Sequence, residues 1–90
     1  MNTYKRIQQD FSFLKAYGYN FDHIEHHYVM PSVVFCSSDK KIQVGMDYES
    51  GAIFILYSND LESFGGDNLL ENVNFFQENI KIKLKQQNLY

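Results

Sequence analysis

The strongest constraint on the fold of this chain lies in residues 41–57, where two kinds of residue alternate. Polar or small residues occupy positions 41, 43, 45 and 47, and apolar residues occupy positions 42, 44, 46 and 48. A Ser50-Gly51 pair then precedes a second apolar run, residues 53–57. Alternation with a period of two, followed by turn residues and another apolar run, predicts a β-hairpin with one apolar face and one polar face.

The lengths of the connections predict how the strands pair. A two-residue Ser50-Gly51 loop places Tyr48 opposite Ile53. An even-length turn between the preceding strand and this hairpin places Val33 opposite Val44. The strands then share one apolar face. Its members are Val33, Phe35, Ile42, Val44, Met46, Tyr48, Ile53, Ile55 and Tyr57.

Two amphipathic helices are predicted to flank the sheet. Apolar residues recur every three or four positions in residues 3–17, and Gly18 follows where a left-handed C-cap glycine is expected. A second helix is predicted to begin after Asn68, which forms a capping box with Glu71. Its apolar stripe consists of Leu69, Val73, Phe76, Ile80 and Leu84. This stripe favours helix in residues 80–85, where the strict alternation of apolar residues and lysines alone would indicate a strand.

The remaining segments complete an α+β plan. Residues 19–28 predict an edge strand, and Pro31 predicts a bend or bulge before the strand at residues 32–36. Residues 59–67 have the composition of a loop. The predicted architecture is a single α+β domain over residues 1–90, a two-layer sandwich in the order α-β-β-β-β-α. It has an N-terminal helix, a four-stranded antiparallel meander sheet and a C-terminal helix.

Composition and charge limit the classes of function. The chain is 44% hydrophobic, with seven Tyr and eight Phe, which favours a folded core over disorder. A single cysteine, together with the lack of a long apolar run or a signal-like N-terminus, predicts a cytoplasmic location and no membrane partner. The net charge is −3, and residues 39–78 carry two basic against eight acidic residues. Nucleic-acid binding is therefore not expected.

The polar face of the sheet supplies the first candidate site. The predicted register puts Leu56 beside Gly45 and Phe54 beside Asp47, which leaves a shallow groove where a side chain is missing. The hypothesis is a protein-binding surface with Phe54 and Leu56 as exposed anchors. Its polar rim consists of Lys41, Gln43 and Asp47. Alternatively, a dimer partner occupies this face, since the last strand is predicted to lie at an edge, or the following loop covers it.

Two other parts of the sequence contain residue types that are common in chemical sites. His23, Glu25 and His27 resemble a metal-ligand set in composition. Side chains on one side of a strand are about 7 Å apart, so a solvated, pH-sensitive edge is the preferred interpretation, and no metal or other cofactor is expected. Cys36 lies near Lys40 in sequence, but a small buried hydrophobe is preferred over a nucleophile. No phosphate-loop or nucleophile-elbow pattern occurs, so the protein is not expected to be an enzyme.

The order of the motifs resembles a known type of protein. The first helix ends in Phe-Leu-x-x-x-Gly-Tyr at residues 13–19, Val-Val-Phe follows at residues 33–35, and Ile-x-Val-x-x-Asp-Tyr follows at residues 42–48. This plan is similar to small uncharacterised bacterial proteins, some of which resemble immunity proteins encoded beside polymorphic or contact-dependent toxins. The resemblance implies a cytoplasmic binder that blocks a toxin by contact, and it transfers no site residues.

The functional hypothesis is therefore a non-enzymatic protein-binding domain. Its most concrete form is an immunity protein whose acidic surface attracts a basic toxin domain. The alternative is a small structural or homodimeric domain, and a metal-binding protein is the third hypothesis.

Overall fold

The computed structural model describes residues 3–27, 30–38, 40–57, 60–64 and 69–87. The chain begins with helix α1 (Thr3–Asp10) and a 3₁₀ helix (Ser12–Tyr17). Five strands and a last helix follow: β1 (Asn20–His27), β2 (Met30–Ser37), β3 (Lys40–Asp47), β4 (Ala52–Tyr57), β5 (Asp60–Phe64) and α2 (Leu69–Gln87). The strands form one sheet in the order β1-β2-β3-β4-β5, and each is antiparallel to its neighbours.

The predicted α+β plan is confirmed, with an N-terminal helix, an antiparallel meander and a C-terminal helix. The sheet also contains β5, which lies within residues 59–67, where the sequence predicted a loop. This segment is short and mostly polar, so its strand conformation depends on pairing with β4 rather than on propensity. Consequently β4 is an interior strand and its predicted edge position is wrong, whereas β1 lies at an edge as predicted.

The first helical segment changes its winding partway along. The sequence predicted one continuous helix over residues 3–17. In the structure the α-helix ends at Asp10, and a 3₁₀ helix begins at Ser12. A 3₁₀ helix has three residues per turn, so Phe11 and Leu14, three residues apart, both point into the core, where both are fully buried. The segment ends at Gly18, whose φ of 88° and backbone hydrogen bonds to the preceding turn confirm the predicted C-cap.

The register between β2 and β3 is confirmed, but that between β3 and β4 is shifted by two residues. Val33 pairs with Val44 as predicted. Ile53 pairs with Met46 instead of Tyr48. Because side chains alternate with a period of two, a two-residue shift keeps every residue on its predicted face. The predicted apolar face therefore survives, and only the cross-strand neighbours change.

Asp47 explains the shift, because it organises a longer turn than the predicted two-residue loop. Its carboxylate accepts hydrogen bonds from the Glu49 amide at 3.1 Å and the Ser50 hydroxyl at 2.9 Å. Its carbonyl accepts one from the Gly51 amide at 2.8 Å, and Gly51 has a φ of 78° that favours glycine. These bonds fix a four-residue turn between Asp47 and Ala52, which pair directly.

The buried apolar residues form one cluster between the sheet and the helices. All nine residues of the predicted apolar face belong to it, although Tyr48 is only partly buried. The helical segments add Ile7, Phe11, Leu14, Val73, Phe76, Ile80 and Leu84, and Tyr19 joins from the turn before β1. Sequence periodicity therefore identified the described members of this cluster on the sheet and on α2, while the side chain of Leu69, also predicted for the α2 stripe, lies outside what the structure describes.

The irregularity predicted at Pro31 lies elsewhere. Pro31 is part of β2 and directly precedes Ser32, the first residue of β2 that pairs with β3. Its missing N–H therefore does not interrupt the β2–β3 ladder. The register shifts instead within β1, between Phe21 and His23. Asp22 is the extra residue of this bulge.

The helical prediction for residues 80–85 is confirmed, since these residues lie within α2. Ile80 and Leu84 are buried, while Lys81 places its ammonium group 4.9 Å from the centre of the Phe13 ring. A lysine stem packed along an aromatic ring covers apolar surface while its charge stays in water. The predicted capping residue Asn68 lies outside the described residues.

Both helices are anchored near the turn between β3 and β4. The Tyr48 hydroxyl donates a hydrogen bond to Asp10 at 3.0 Å, and the Arg6 guanidinium lies 4.1 Å from the centre of the Tyr48 ring. Burial, reinforced by the negative charge of Asp10, raises the pKa of Tyr48 above its ordinary value. From α2, Asn72 donates to the Gly51 carbonyl at 3.2 Å. These contacts hold the two helices on the same face of the sheet.

The Asp47 turn gives a pH-dependent contribution to stability. The hydrogen bond from Ser50, followed by the one from the Glu49 amide, lowers the pKa of Asp47 below its ordinary value of 3.8. Because the folded-state pKa is the lower one, the stabilisation is complete above the unfolded-state pKa and is lost as the pH falls through the folded-state pKa. We expect wild type to be more stable than Asp47→Asn near neutral pH, and the difference to shrink in acid.

Denaturant unfolding of both proteins between about pH 6 and about pH 2.5 measures this difference, since the other carboxyl groups are common to both. In a Ser50→Ala background, which removes the largest cause of the shift, the pH-dependent part should be smaller. A difference that stays constant over this pH range would contradict the assignment.

Candidate protein-contact site

The face of the sheet opposite the helices is closed where the sequence predicted a groove. Gly45 pairs with Phe54, and a Cβ atom at Gly45 would lie 1.8 Å from Cε2 of the Phe54 ring. The ring therefore occupies the space left by the missing side chain, and Phe54 is only 5% exposed. The predicted neighbours, Leu56 beside Gly45 and Phe54 beside Asp47, are wrong because of the two-residue register shift. Leu56 pairs with Gln43 instead.

Buried polar side chains next to this ring are hydrogen-bonded. The Gln43 amide donates to the Ser32 hydroxyl at 2.9 Å, and that hydroxyl donates to the Glu25 carbonyl at 2.6 Å. A buried polar group is costly only when it lacks a partner, so this chain of bonds allows both side chains to be buried. Val34, on the same face, is also buried.

The residues predicted to bind a protein are therefore in different environments. Lys41 is exposed, and Asp47 and Leu56 are half-buried. Gln43 and Phe54 are buried, so the exposed Phe54 anchor on which the prediction depended is not available. A contact at this face stays a prediction, and it would depend on Lys41, Asp47 and Leu56.

Large exposed apolar side chains lie instead on the edge strand β1. Phe21 and Ile24 are each 49% exposed. In register they lie opposite Phe35 and Val33, which are buried core residues, so they extend the apolar face of the sheet to its edge. Helix α1 packs against β2 and β3, and α2 packs against β4. The apolar face therefore continues beyond the strands with which these helices make most of their contacts.

A cavity of about 200 Å³ opens beside this edge. Its apolar lining comes from Phe11, Tyr19, Phe21 and Phe35, and its polar lining includes Gln8 and Lys15. Small-molecule sites usually measure about 300–1,000 Å³, so this cavity is small for a cofactor or a metabolite. Its size suits a single apolar side chain.

The polar side chains of β1 form a short charged row. Nδ1 of His23 lies 2.5 Å from an Asp22 carboxylate oxygen, and Nε2 lies 4.0 Å from a Glu25 carboxylate oxygen. All three side chains are about half-exposed. The side chain of His27 lies outside what the structure describes. Within the described residues, no three His, Cys, Asp or Glu side chains are placed to share a metal ion.

Cys36 is half-buried near the end of β2. It pairs in register with Asn20 on one side and Lys41 on the other. His23 lies opposite Val34 instead, two positions away from Cys36 along β2. The structure therefore places a lysine, rather than an imidazole, at the paired position beside the thiol.

The exposed apolar edge was missed because its alternation breaks in phase. Ile24 and His26 follow one period of two, and Phe21 falls out of that phase by one residue. The bulge at Asp22 reconciles the two, because one extra residue returns Phe21 and Ile24 to the same face. The break in this alternation, inside the predicted edge strand, is the sequence signal that could have revealed the exposed apolar pair.

Comparison of the chain with protein-family models, with curated proteins and with solved structures gives no match. None of the described helices is long and apolar enough to cross a membrane.

The contact between Gly45 and Phe54 can be tested by a double-mutant cycle. Gly45→Ala should destabilise the protein by about 1–3 kcal/mol, because the new Cβ displaces the ring. Phe54→Ala should cost about 3 kcal/mol or more through lost burial and a cavity. The double variant should be less destabilised than the sum of the two, because the added Cβ fits once the ring is absent.

Chemical denaturation of the four proteins measures the coupling. Phe75→Ala is the matched control, since that ring is 50% exposed and its loss should be much milder. Additive effects of Gly45→Ala and Phe54→Ala would contradict the close approach.

Proposed function

We propose that the protein is a non-enzymatic protein-binding domain that receives an extended polypeptide segment along the edge of β1. The observation that carries this proposal is the pair of half-exposed side chains, Phe21 and Ile24, which extend the core face of the sheet to that edge. No described strand pairs with the outer side of β1. The edge therefore combines apolar surface with backbone groups available for pairing.

An added strand would use both features. Backbone N–H and C=O groups along an edge strand can form a ladder with an incoming segment, and pockets for alternate side chains supply specificity. Side chains on the helix side of the incoming strand would lie next to Phe21 and Ile24. One of them could fill the cavity of about 200 Å³ beside Phe21.

The charge of the chain supports a protein partner over a nucleic acid or an anionic membrane. The net charge is −3, and β1 itself carries Asp22 and Glu25 at its surface. Phosphate backbones and anionic lipids require basic surfaces. Immunity against a basic toxin domain is one specific form of this proposal, and it stays a prediction, as does a cytoplasmic location.

A photo-crosslinking amino acid at position 24, introduced into the full chain in its native host, tests the proposal. We expect irradiation to give a discrete adduct with a polypeptide, because Ile24 lies at the proposed contact. The same amino acid at position 85, an exposed position on α2, is the control and should not give that adduct. Peptide mass spectrometry then identifies the crosslinked partner.

Two results would contradict the proposal. One is the absence of any polypeptide adduct from position 24. The other is the same set of adducts from positions 24 and 85, which would indicate non-specific collision.

A further inference from the structure

We infer that the segment received by β1 is β1 of a second copy of this chain, paired antiparallel with Ile24 on the two-fold axis. This inference rests on the proposed function and names the partner for the same edge. It would join two five-stranded sheets into one continuous sheet of ten strands.

The order of charges along β1 supports self-pairing. Around Ile24 the sequence is Asp-His-Ile-Glu-His, residues 22–26. The two nearest pairs of residues at equal distances from Ile24 each consist of one acid and one histidine: His23 with Glu25, and Asp22 with His26. A two-fold axis through Ile24 places His23 opposite Glu25 of the other copy, and it brings the bulge residue Asp22 near His26 of the other copy. The centre of the strand is therefore complementary in charge to itself when the histidines are protonated.

The central pairs would strengthen contacts that already exist within one chain. His23 lies 4.0 Å from Glu25 of its own strand, on the face of the sheet away from the helices. In the dimer each His23 would also face Glu25 of the second copy, across a cross-strand Cβ separation of about 5 Å. The two His23 and two Glu25 side chains would then alternate around a rectangle on this face. Nδ1 of His23 already faces an Asp22 carboxylate, so Nε2 can donate to a Glu25 carboxylate when the ring is protonated and both of its nitrogens carry hydrogen.

Neighbouring registers lack this complementarity. A shift of one residue in one direction brings Asp22 opposite Glu25 of the second copy, and a shift in the other direction brings His23 opposite His26. A shift of two residues places Glu25 opposite Glu25, or His23 opposite His23. Like charges directly opposite are destabilising, and each of these shifts also removes the contact between the two Ile24 side chains. Among the registers shifted by no more than two residues, the one centred on Ile24 alone satisfies both the apolar and the polar side chains.

The apolar contacts lie on the helix side of the sheet. Ile24 is 49% exposed in the single chain and would pack against Ile24 of the second copy. Bulges and charges normally protect edge strands from pairing. Here the bulge at Asp22 lies just outside the central residues 23–25, and in this register each acid faces a histidine rather than another acid, so neither feature blocks it.

The interface is small, which favours a weak dimer. Pairing of two strands of eight residues falls below the about 1,200–2,000 Å² that stable complexes bury, which places the dimer among weak, transient associations. We expect a dissociation constant between about 10 µM and about 1 mM.

Sedimentation equilibrium of the purified full chain over this concentration range provides the test. Wild type should change from monomer to dimer as its concentration rises. Ile24→Lys, which places two ammonium groups together on the axis, should raise the dissociation constant at least about tenfold. Ile82→Lys is the matched control on α2, since Ile82 is 52% exposed, and it should leave the dissociation constant unchanged.

A charge exchange tests the register itself. His23→Glu alone places two carboxylates opposite each other in both central pairs and should weaken the dimer. The double variant His23→Glu, Glu25→His keeps the composition, restores each acid opposite a histidine, and should recover the dimer. Circular dichroism confirms that each variant is folded, which is expected because these side chains lie at the surface.

The possible outcomes are separable. A chain that remains monomeric up to about 1 mM, or a dimer weakened by Ile82→Lys but not by Ile24→Lys, would overturn the inference. If the chain is monomeric and position 24 still crosslinks to a different protein in the host, the proposed protein-binding function stands and only the self-pairing is wrong. Failure of both experiments would reject both proposals.

Discussion

The close approach of the Phe54 ring to the backbone of Gly45 determines which surface of this protein is available. Any side chain at position 45 would collide with the ring, and without that space the ring could not lie flat on the neighbouring strand. Once it does, Phe54 is buried and the hydrogen-bonded pair of Gln43 and Ser32 lies beside it. The helix-free face is therefore closed at its centre, although two layers of structure leave such a face open in principle.

The other face is incompletely covered for a geometric reason. A helix about 10 Å wide covers roughly two strands spaced about 4.8 Å apart, so two helices cover about four strands of a sheet. This sheet has five strands, and its helices make most of their contacts with β2, β3 and β4. The core face at β1 therefore ends in Phe21 and Ile24, which are half-exposed beside a small cavity. An additional strand from a partner would extend the sheet at this edge and would bury part of the exposed surface of these two side chains.

The core was predictable from the sequence, because a period-two pattern and two helical stripes assign residues to faces without requiring exact pairing. The register was less predictable, because it depended on hydrogen bonds of one side chain, Asp47, that lengthen the turn by two residues. With the observed register, Phe54 lies over Gly45 rather than beside Asp47, so the predicted groove is filled by its ring. The exposed apolar pair on β1 was missed because the bulge at Asp22 interrupts the alternation that would have grouped Phe21 with Ile24.

Amide hydrogen exchange along β1, followed as a function of protein concentration, tests the central claim most directly. If β1 pairs with a second copy, the outward-facing amides of residues 23–25 should exchange more slowly at about 1 mM than at about 10 µM protein. The amides of the interior strand β3 should be equally protected at both concentrations. Exchange in residues 23–25 that is independent of concentration, in a protein whose β3 remains protected, would contradict pairing at this edge.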